Sequence, residues 1–186
     1  MKYWDFQTLQ KIRKGYYSAV YFNRAREILL KENNLTKVTM QVFQHNEKSI
    51  LCGVEEVAAL LKEASGFWEG TRWMSQRKAL TVFALRDGDK IHAGEPVFHI
   101  VGPYAYFAHL ESLYLGILAR RTLVATNVRA ATDAARGKPV LFFADRFDYF
   151  QNQQGDGFAA HIGGASGVCT PAHASRWGGK PVGTIP

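Results

Sequence analysis

Phe143 and, three positions on, Arg146 are residue types that together can hold a flat anionic ring. An aromatic face adds about 0.5–1.5 kcal/mol to such a ring beyond area burial. A guanidinium fork meets a carboxylate with two parallel hydrogen bonds. The pair closes and follows the apolar run Val140–Phe143, where a buried strand would hand over to a loop. Taken alone, a core phenylalanine beside a surface arginine is the simpler reading. His45, His92, His99, His109, His161 and His173 have no metal-ligand spacing and read as structural. Cys52 and Cys169 lie far apart without a CxxC spacing, so neither a disulfide framework nor a zinc site is implied.

The elements that would position these groups follow from pattern. Residues 16–32 place Val20, Ala25, Ile28 and Leu29 at helical spacing. Thr36–Gln44 alternates through Val38, Met40 and Val42 and predicts a strand, and a second helix should follow Gly53. Gly66–Ser75, with Trp68 and Trp73, reads as a loop with aromatic anchors. Leu80–Leu85 and Val97–Val101, separated by Asp-Gly and Ala-Gly turns, suggest a compact curled sheet or an ordinary hairpin. Phe107–Arg136 is helical, as one helix or as two broken near Gly116 or Thr122, with Gly137 at its C′ position. Val140–Phe143 then reads as a strand buried on both faces. Gly167–Cys169 and Pro181–Gly183 read as further buried strands, with a short helix over Pro171–Trp177 between them. Strand–helix–strand spacing argues for a parallel α/β sheet or barrel.

Composition narrows the class. The 186 residues are 47% hydrophobic and 13% aromatic, enough for a real core. The formal charge is +7, yet Lys and Arg concentrate nowhere beyond Lys11-Ile12-Arg13-Lys14 and Arg120-Arg121, so nucleic acid is not the expected partner. An enzyme with several anionic substrates suits the charge equally well. No apolar run reaches the roughly 18 residues of a membrane span, and no signal peptide opens the chain, so a cytoplasmic protein is expected. The chain stops directly after a predicted strand, which would leave an unpaired sheet edge. The expectation is a truncated protein, with a naturally small one as the alternative.

Nine segments in order carry a resemblance. They are Ala19–Arg24, Thr39–Phe43, Asp87–Asp89 with Ala93–Pro96, Gly102–Tyr104 with His109–Glu111, Leu118–Thr122, Ala125–Arg129, Phe143–Arg146, Ile162–Gly167 and Lys180–Thr184. From about Gly15 onward the chain resembles the type II phosphoribosyltransferases, and among them nicotinate phosphoribosyltransferase. The resemblance implies an α/β architecture: an α+β N-terminal sandwich with linking helices over 1–138, then from 139 to 186 the first strands and helices of an irregular barrel. It implies that nicotinate displaces pyrophosphate from phosphoribosyl pyrophosphate, giving nicotinate mononucleotide for NAD synthesis. It further implies ATP hydrolysis, Mg²⁺ with the phosphates, and a homodimer whose subunits share the active site. The transition state of such a reaction is oxocarbenium-like and its nucleophile is a neutral ring nitrogen. Catalysis would then rest on orienting the ring and stabilising the leaving pyrophosphate.

The same resemblance assigns residues. Phe143 would stack on the pyridine and Arg146 bind near the ring or the product phosphate. Tyr21 would cover the other ring face from across the dimer, although Ala19 stands where the family usually has an acid; a core-facing tyrosine is its plainer reading. Arg120 and Arg121, with Thr122, resemble the arginine-bearing helix of the quinolinate enzyme. One of the two would contact substrate anions across the interface, an ordinary solvated face being the alternative. Ser166 stands where the nicotinamide enzyme has an aspartate, and a serine can donate to a carboxylate. Thr170 and Thr184 are candidate phosphate contacts. In the family a phosphorylated histidine follows the Gly-Thr-x-Pro segment at once, so Gly183–Pro186 would end one residue short of it, and the chain as it stands is expected to be inactive. Two other readings remain: a quinolinate phosphoribosyltransferase, needing more basic residues and no ATP, and a non-catalytic binding or dimerisation module.

Overall fold

The computed structural model describes residues 3–183. In chain order its elements are α1 (Phe6–Arg13), α2 (Val20–Lys31), β1 (Lys37–Phe43), β2 (Ser49–Ile50), α3 (Val54–Ala64), β3 (Gly66–Glu69), β4 (Arg72–Ser75), β5 (Thr81–Ala84), β6 (Lys90–Ile91), β7 (Pro96–Pro103), α4 (Glu111–Ala134), β8 (Leu141–Phe142), α5 (Gln153–Gly163), β9 (Gly167–Val168) and α6 (Pro171–Ala174). This is an α/β fold, as expected. Among the described residues no helix is long and apolar enough to cross a membrane.

The period-2 pattern of β1 turns Val38, Met40 and Val42 inward and leaves Thr39 and Gln41 exposed. β7 lies between β1 and β5, antiparallel to both. Its Val97, Phe98 and Ile100 join Val57, Leu60 and Leu61 of α3 and Tyr114 and Leu118 of α4 in one continuous core. Remote side chains finish the helix ends and edges. Asp87 Oδ1 accepts from Val54 N at 2.8 Å and so caps α3, satisfying an amide that the helix itself leaves unpaired. Thr126 and Thr122 on α4 accept from Ile50 N at 2.9 Å and Cys52 N at 3.2 Å.

The structure corrects several expectations. Gly66–Ser75 is a hairpin rather than a loop, with Trp68 opposite Trp73 and the two rings edge-on at 5.3 Å. The long helix is single: Gly116 sits in it exposed, and one glycine costs about 1 kcal/mol without breaking a 24-residue helix. Arg120–Thr122 therefore lies mid-helix rather than at an end. Val140–Phe143 yields only a two-residue strand and is not buried on both faces, since Leu141 is 44% and Phe143 38% exposed. β8 does pair in parallel with β9, and Val168 makes a further parallel bridge to Pro181. The predicted Pro171–Trp177 helix is helical only to Ala174.

Helix α5 was not expected; its Gly155, Gly157 and Gly163 are residues that disfavour a helix on their own. They are contact points instead. A Cβ on Gly157 would lie 2.1 Å from His173 O, and one on Gly163 2.6 Å from Ala125 O. Close approach of α5 to α6 and α4 demands the missing side chains.

Candidate functional site

The parallel pair β8–β9 presents one cluster at its C-terminal end. Thr170, two residues past the end of β9, caps α6 by accepting from His173 N at 3.1 Å. Its hydroxyl donates to Gln153 Oε1 at 3.0 Å and lies 2.8 Å from His173 Nδ1. With its one proton given to Gln153, the hydroxyl receives Nδ1–H, which fixes that tautomer of His173. Burial holds His173 below its ordinary pKa, and Nε2 has no partner among the described residues. Gln153 Nε2 in turn donates to Asp145 O at 3.3 Å, tying α5 to the loop after β8. Burial, and next Asp145, raise the Cys169 thiol, so it is not a ready nucleophile.

Beyond Asp145 the loop is open. Arg146 has an 80% exposed side chain, 3.6 Å from Asp145 Oδ2, and Phe147 is 87% exposed. Ser166 stands at the other end of the same strand pair, where its amide donates to Val140 O at 2.8 Å. The structure thus brings Phe143, Arg146 and Thr170 to one end and Ser166 to the opposite one. Thr184 lies outside the described residues.

A second cluster joins the long helix to the later segment. Arg121 donates from Nε to Glu56 at 3.2 Å and from Nη1 to Asp156 at 2.9 Å. Arg176 donates to the same Glu56 at 2.5 Å. Arg120 binds Asp156 side-on, from Nε at 3.3 Å and Nη2 at 2.7 Å, and also donates from Nη2 to Asp148. Three arginines thus meet three carboxylates, and the charges balance. Hydrogen bonding to Asp156 holds the Arg120 pKa above its ordinary value. The amide of Tyr149, and then Arg120, hold Asp148 below the usual carboxylate range.

Arg120 and Arg121 both border one cleft, but Arg121, 13% exposed and held by Glu56 and Asp156, is the more enclosed, and Arg120, at 37%, the more open. That cleft, of about 400 Å³, is also lined by Trp4, Tyr17, Ser112, Gly116 and Asn152, and by Glu56, whose carboxylate is taken up by Arg121 and Arg176. The combination of aromatic walls, amide and guanidinium suits a flat anion. Tyr21 is exposed (64%) against Phe22 and is neither core-facing nor among the lining residues, whereas Tyr17 is one of them. A larger groove of about 560 Å³, between the end of β1 and α4, is walled by Phe43, Leu51, Leu115 and Leu118 and carries no lysine or arginine. Its chemistry does not match an anionic substrate.

Sequence reading missed Glu56, Asp148, Asp156 and Arg176. Glu56 lies 65 and 120 residues from its partners, so no local spacing signals it. Asp148 and Asn152, four apart and hydrogen-bonded at 3.4 Å, were the one local hint.

The family described as quinolinate phosphoribosyl transferase, N-terminal domain, matches residues 19–122. No curated protein matches the chain. The solved nicotinate-nucleotide pyrophosphorylase of Pyrococcus furiosus is 33% identical over 100% of this chain and 46% of its own, with a TM-score of 0.82. Human nicotinic acid phosphoribosyltransferase is 15% identical over 91% and 39% of the two chains, with a TM-score of 0.73. NadC from Streptococcus pyogenes is 16% identical over 89% and 54%, with a TM-score of 0.63. The last two likenesses show the fold alone. The chain spans about half or less of the length of these three proteins.

Proposed function

We infer that this chain, which belongs to the family of quinolinate phosphoribosyl transferase N-terminal domains, is the leading part of an enzyme that joins a pyridine dicarboxylate to phosphoribosyl pyrophosphate. The match over residues 19–122 carries the reading. It overturns the expectation of an ATP-coupled nicotinate enzyme, since the human nicotinic acid enzyme shares only the fold at 15% identity. The ligase activity and ATP as co-substrate fall with that expectation.

The two names, taken together, imply one reaction. Quinolinate is pyridine-2,3-dicarboxylate, and a nicotinate nucleotide keeps only the 3-carboxylate. Forming one from the other attaches the ring nitrogen to the anomeric carbon, expels pyrophosphate and releases the 2-carboxylate as CO₂. The electron pair of the broken carbon–carbon bond stays on the ring, and a proton takes it up. No nucleotide hydrolysis enters that balance. We assign Arg120 and Arg146 to the substrate's anionic groups, Phe143 and Tyr21 to its ring faces, and Thr170, less centrally, to phosphate. Arg121 instead holds Glu56 and Asp156 in place. A homodimer would bring Tyr21 and Arg120 of one subunit to the barrel loops of the other, and residues from 139 onward would begin that barrel. Mg²⁺ would accompany pyrophosphate. Among the described residues no group of three His, Cys, Asp or Glu is placed to hold a metal, and no step is derived through it.

The test uses the full-length protein with quinolinate labelled in the 2-carboxylate, phosphoribosyl pyrophosphate and Mg²⁺, without ATP. Labelled CO₂ and nicotinate mononucleotide should appear in equal amounts. Arg120→Met should lower kcat/KM at least about 100-fold, as loss of an aimed cationic donor does. Turnover of nicotinate but not quinolinate would overturn the assignment.

A further inference from the structure

We propose that Asp148 is an internal competitor at Arg120, an affinity-setting residue that holds the place a substrate carboxylate takes. The proposal rests on the reading of Arg120 as a substrate-binding residue. A guanidinium has five N–H groups in one plane. Asp156 occupies the side-on edge, Nε and one N–H of Nη2. The second N–H of Nη2 goes to Asp148, while Nη1 makes no hydrogen bond among the described residues. A carboxylate arriving from the cleft would dock end-on across Nη1 and Nη2, since planar bidentate pairing is what the fork offers. It needs the N–H that Asp148 now holds. Binding is therefore an exchange of one carboxylate for another.

Burial decides which acid yields. The Asp156 side chain is 2% exposed, and removing its arginine partner would weaken the pairing of a carboxylate cut off from water. The Asp148 side chain is 34% exposed and keeps the amide of Tyr149 at 2.8 Å as a donor. Released, it returns to water still charged and solvated. Asp148 also belongs to the loop that carries Arg146, Phe147 and Phe150, so its release removes the one ion pair tying that loop to α4 among the described residues. The exchange would couple occupation of the Arg120 cleft to freedom of the same subunit's 143–150 loop, whose Arg146 the proposed dimer places in the other subunit's site.

Benzene-1,2-dicarboxylate, a stable dicarboxylate without the reacting nitrogen, is a suitable probe. Its binding to the full-length protein is measured by calorimetry in unaltered protein, Asp148→Asn, Arg120→Met and the double variant. Asp148→Asn should tighten binding roughly five- to tenfold, the scale of a partly exposed charge-assisted pair. It should lower KM for quinolinate more than it alters kcat. In the Arg120→Met background the same change should have no effect. Weaker binding in Asp148→Asn would make Asp148 a positioning residue for Arg120 and overturn the proposal. An unchanged affinity would overturn it too, as would absence of binding in all four proteins. Probe binding with the expected order but no phosphoribosyl transfer would leave this exchange standing and defeat the functional reading instead.

Discussion

Residues 19–122 and the segment from 139 to 183 are held by different physics. The first surrounds a continuous core in which Leu60, Phe98, Ile100, Phe107 and Tyr114 are each 1% exposed or less. The second adds only small satellites, in which its Ala159 and Ala160 pack against Ile50, Cys52, Ala125 and Val128, and its loop shows Phe147 and Phe150 to solvent. Glycine-mediated close packing of α5 fastens it to the first region, together with the network of three arginines and three acids. Of the proposed substrate contacts, Phe143, Arg146 and Thr170 lie on the weakly cored side and Arg120 at the seam, whereas Tyr21 is exposed on α2. Binding loops belong where local stability is low enough for them to move.

The largest effect that could break this contrast is a core truncation. Leu60→Ala should cost about 3 kcal/mol in urea denaturation of the full-length protein, because its site is fully enclosed by fixed neighbours. Leu141→Ala, in the exposed β8, should cost under about 1 kcal/mol. Equal losses would mean that the two regions share one kind of core. At the seam, Arg121→Met should cost about 2 kcal/mol, less than a fully orphaned buried charge, because Asp156 keeps Arg120 and Glu56 keeps Arg176. Proteolysis should then cut the 143–150 loop faster while the first region stays resistant, and uniform sensitivity would count against a seam.

The effect that is smallest near neutral pH is an acid sensitivity whose main source lies in the first region. Burial, and next Arg26, push His109 down to about 3, and its Nε2 is 3.1 Å from Ala64 O. The unfolded chain takes up a proton near pH 6.5 that the folded chain refuses. Stability should therefore be full above about 6.5 and fall as the pH drops from there toward 3. His109→Gln should flatten that slope in acid denaturation curves, and an unchanged slope would remove His109 as its source.

Legibility divided along the same line. β1, α3 and α4 were readable because each buries one side, which imposes a period of 2 or 3.6 on apolar residues, and β7 because a continuous apolar run follows turn-forming glycines. α2 was read as a helix although Val20 and Ile28 of its apolar stripe are exposed. Past residue 138 that signal fades. α5 was hidden because its glycines, chosen for contact with α4 and α6, look like breakers in one dimension. The Val140–Phe143 run was read as doubly buried, yet the described neighbours cover only part of it. At the candidate site, Phe143, Arg146, Arg120 and Arg121 were legible as residue types. Which of the two neighbouring arginines is the more open to the cleft was not.

The sequence by itself determined the α/β class, the parallel strand pair, most elements before residue 138 and the broader phosphoribosyltransferase resemblance, because these rest on local periodicity and ordered motifs. Only the tertiary structure decided that Glu56, Asp148 and Asp156 converge on three arginines, that Arg120 is more open than Arg121, and that Tyr17 rather than Tyr21 lines the cleft beside them. Charges separated by tens of residues meet only once the helices pack, and nothing in their spacing along the chain records the meeting.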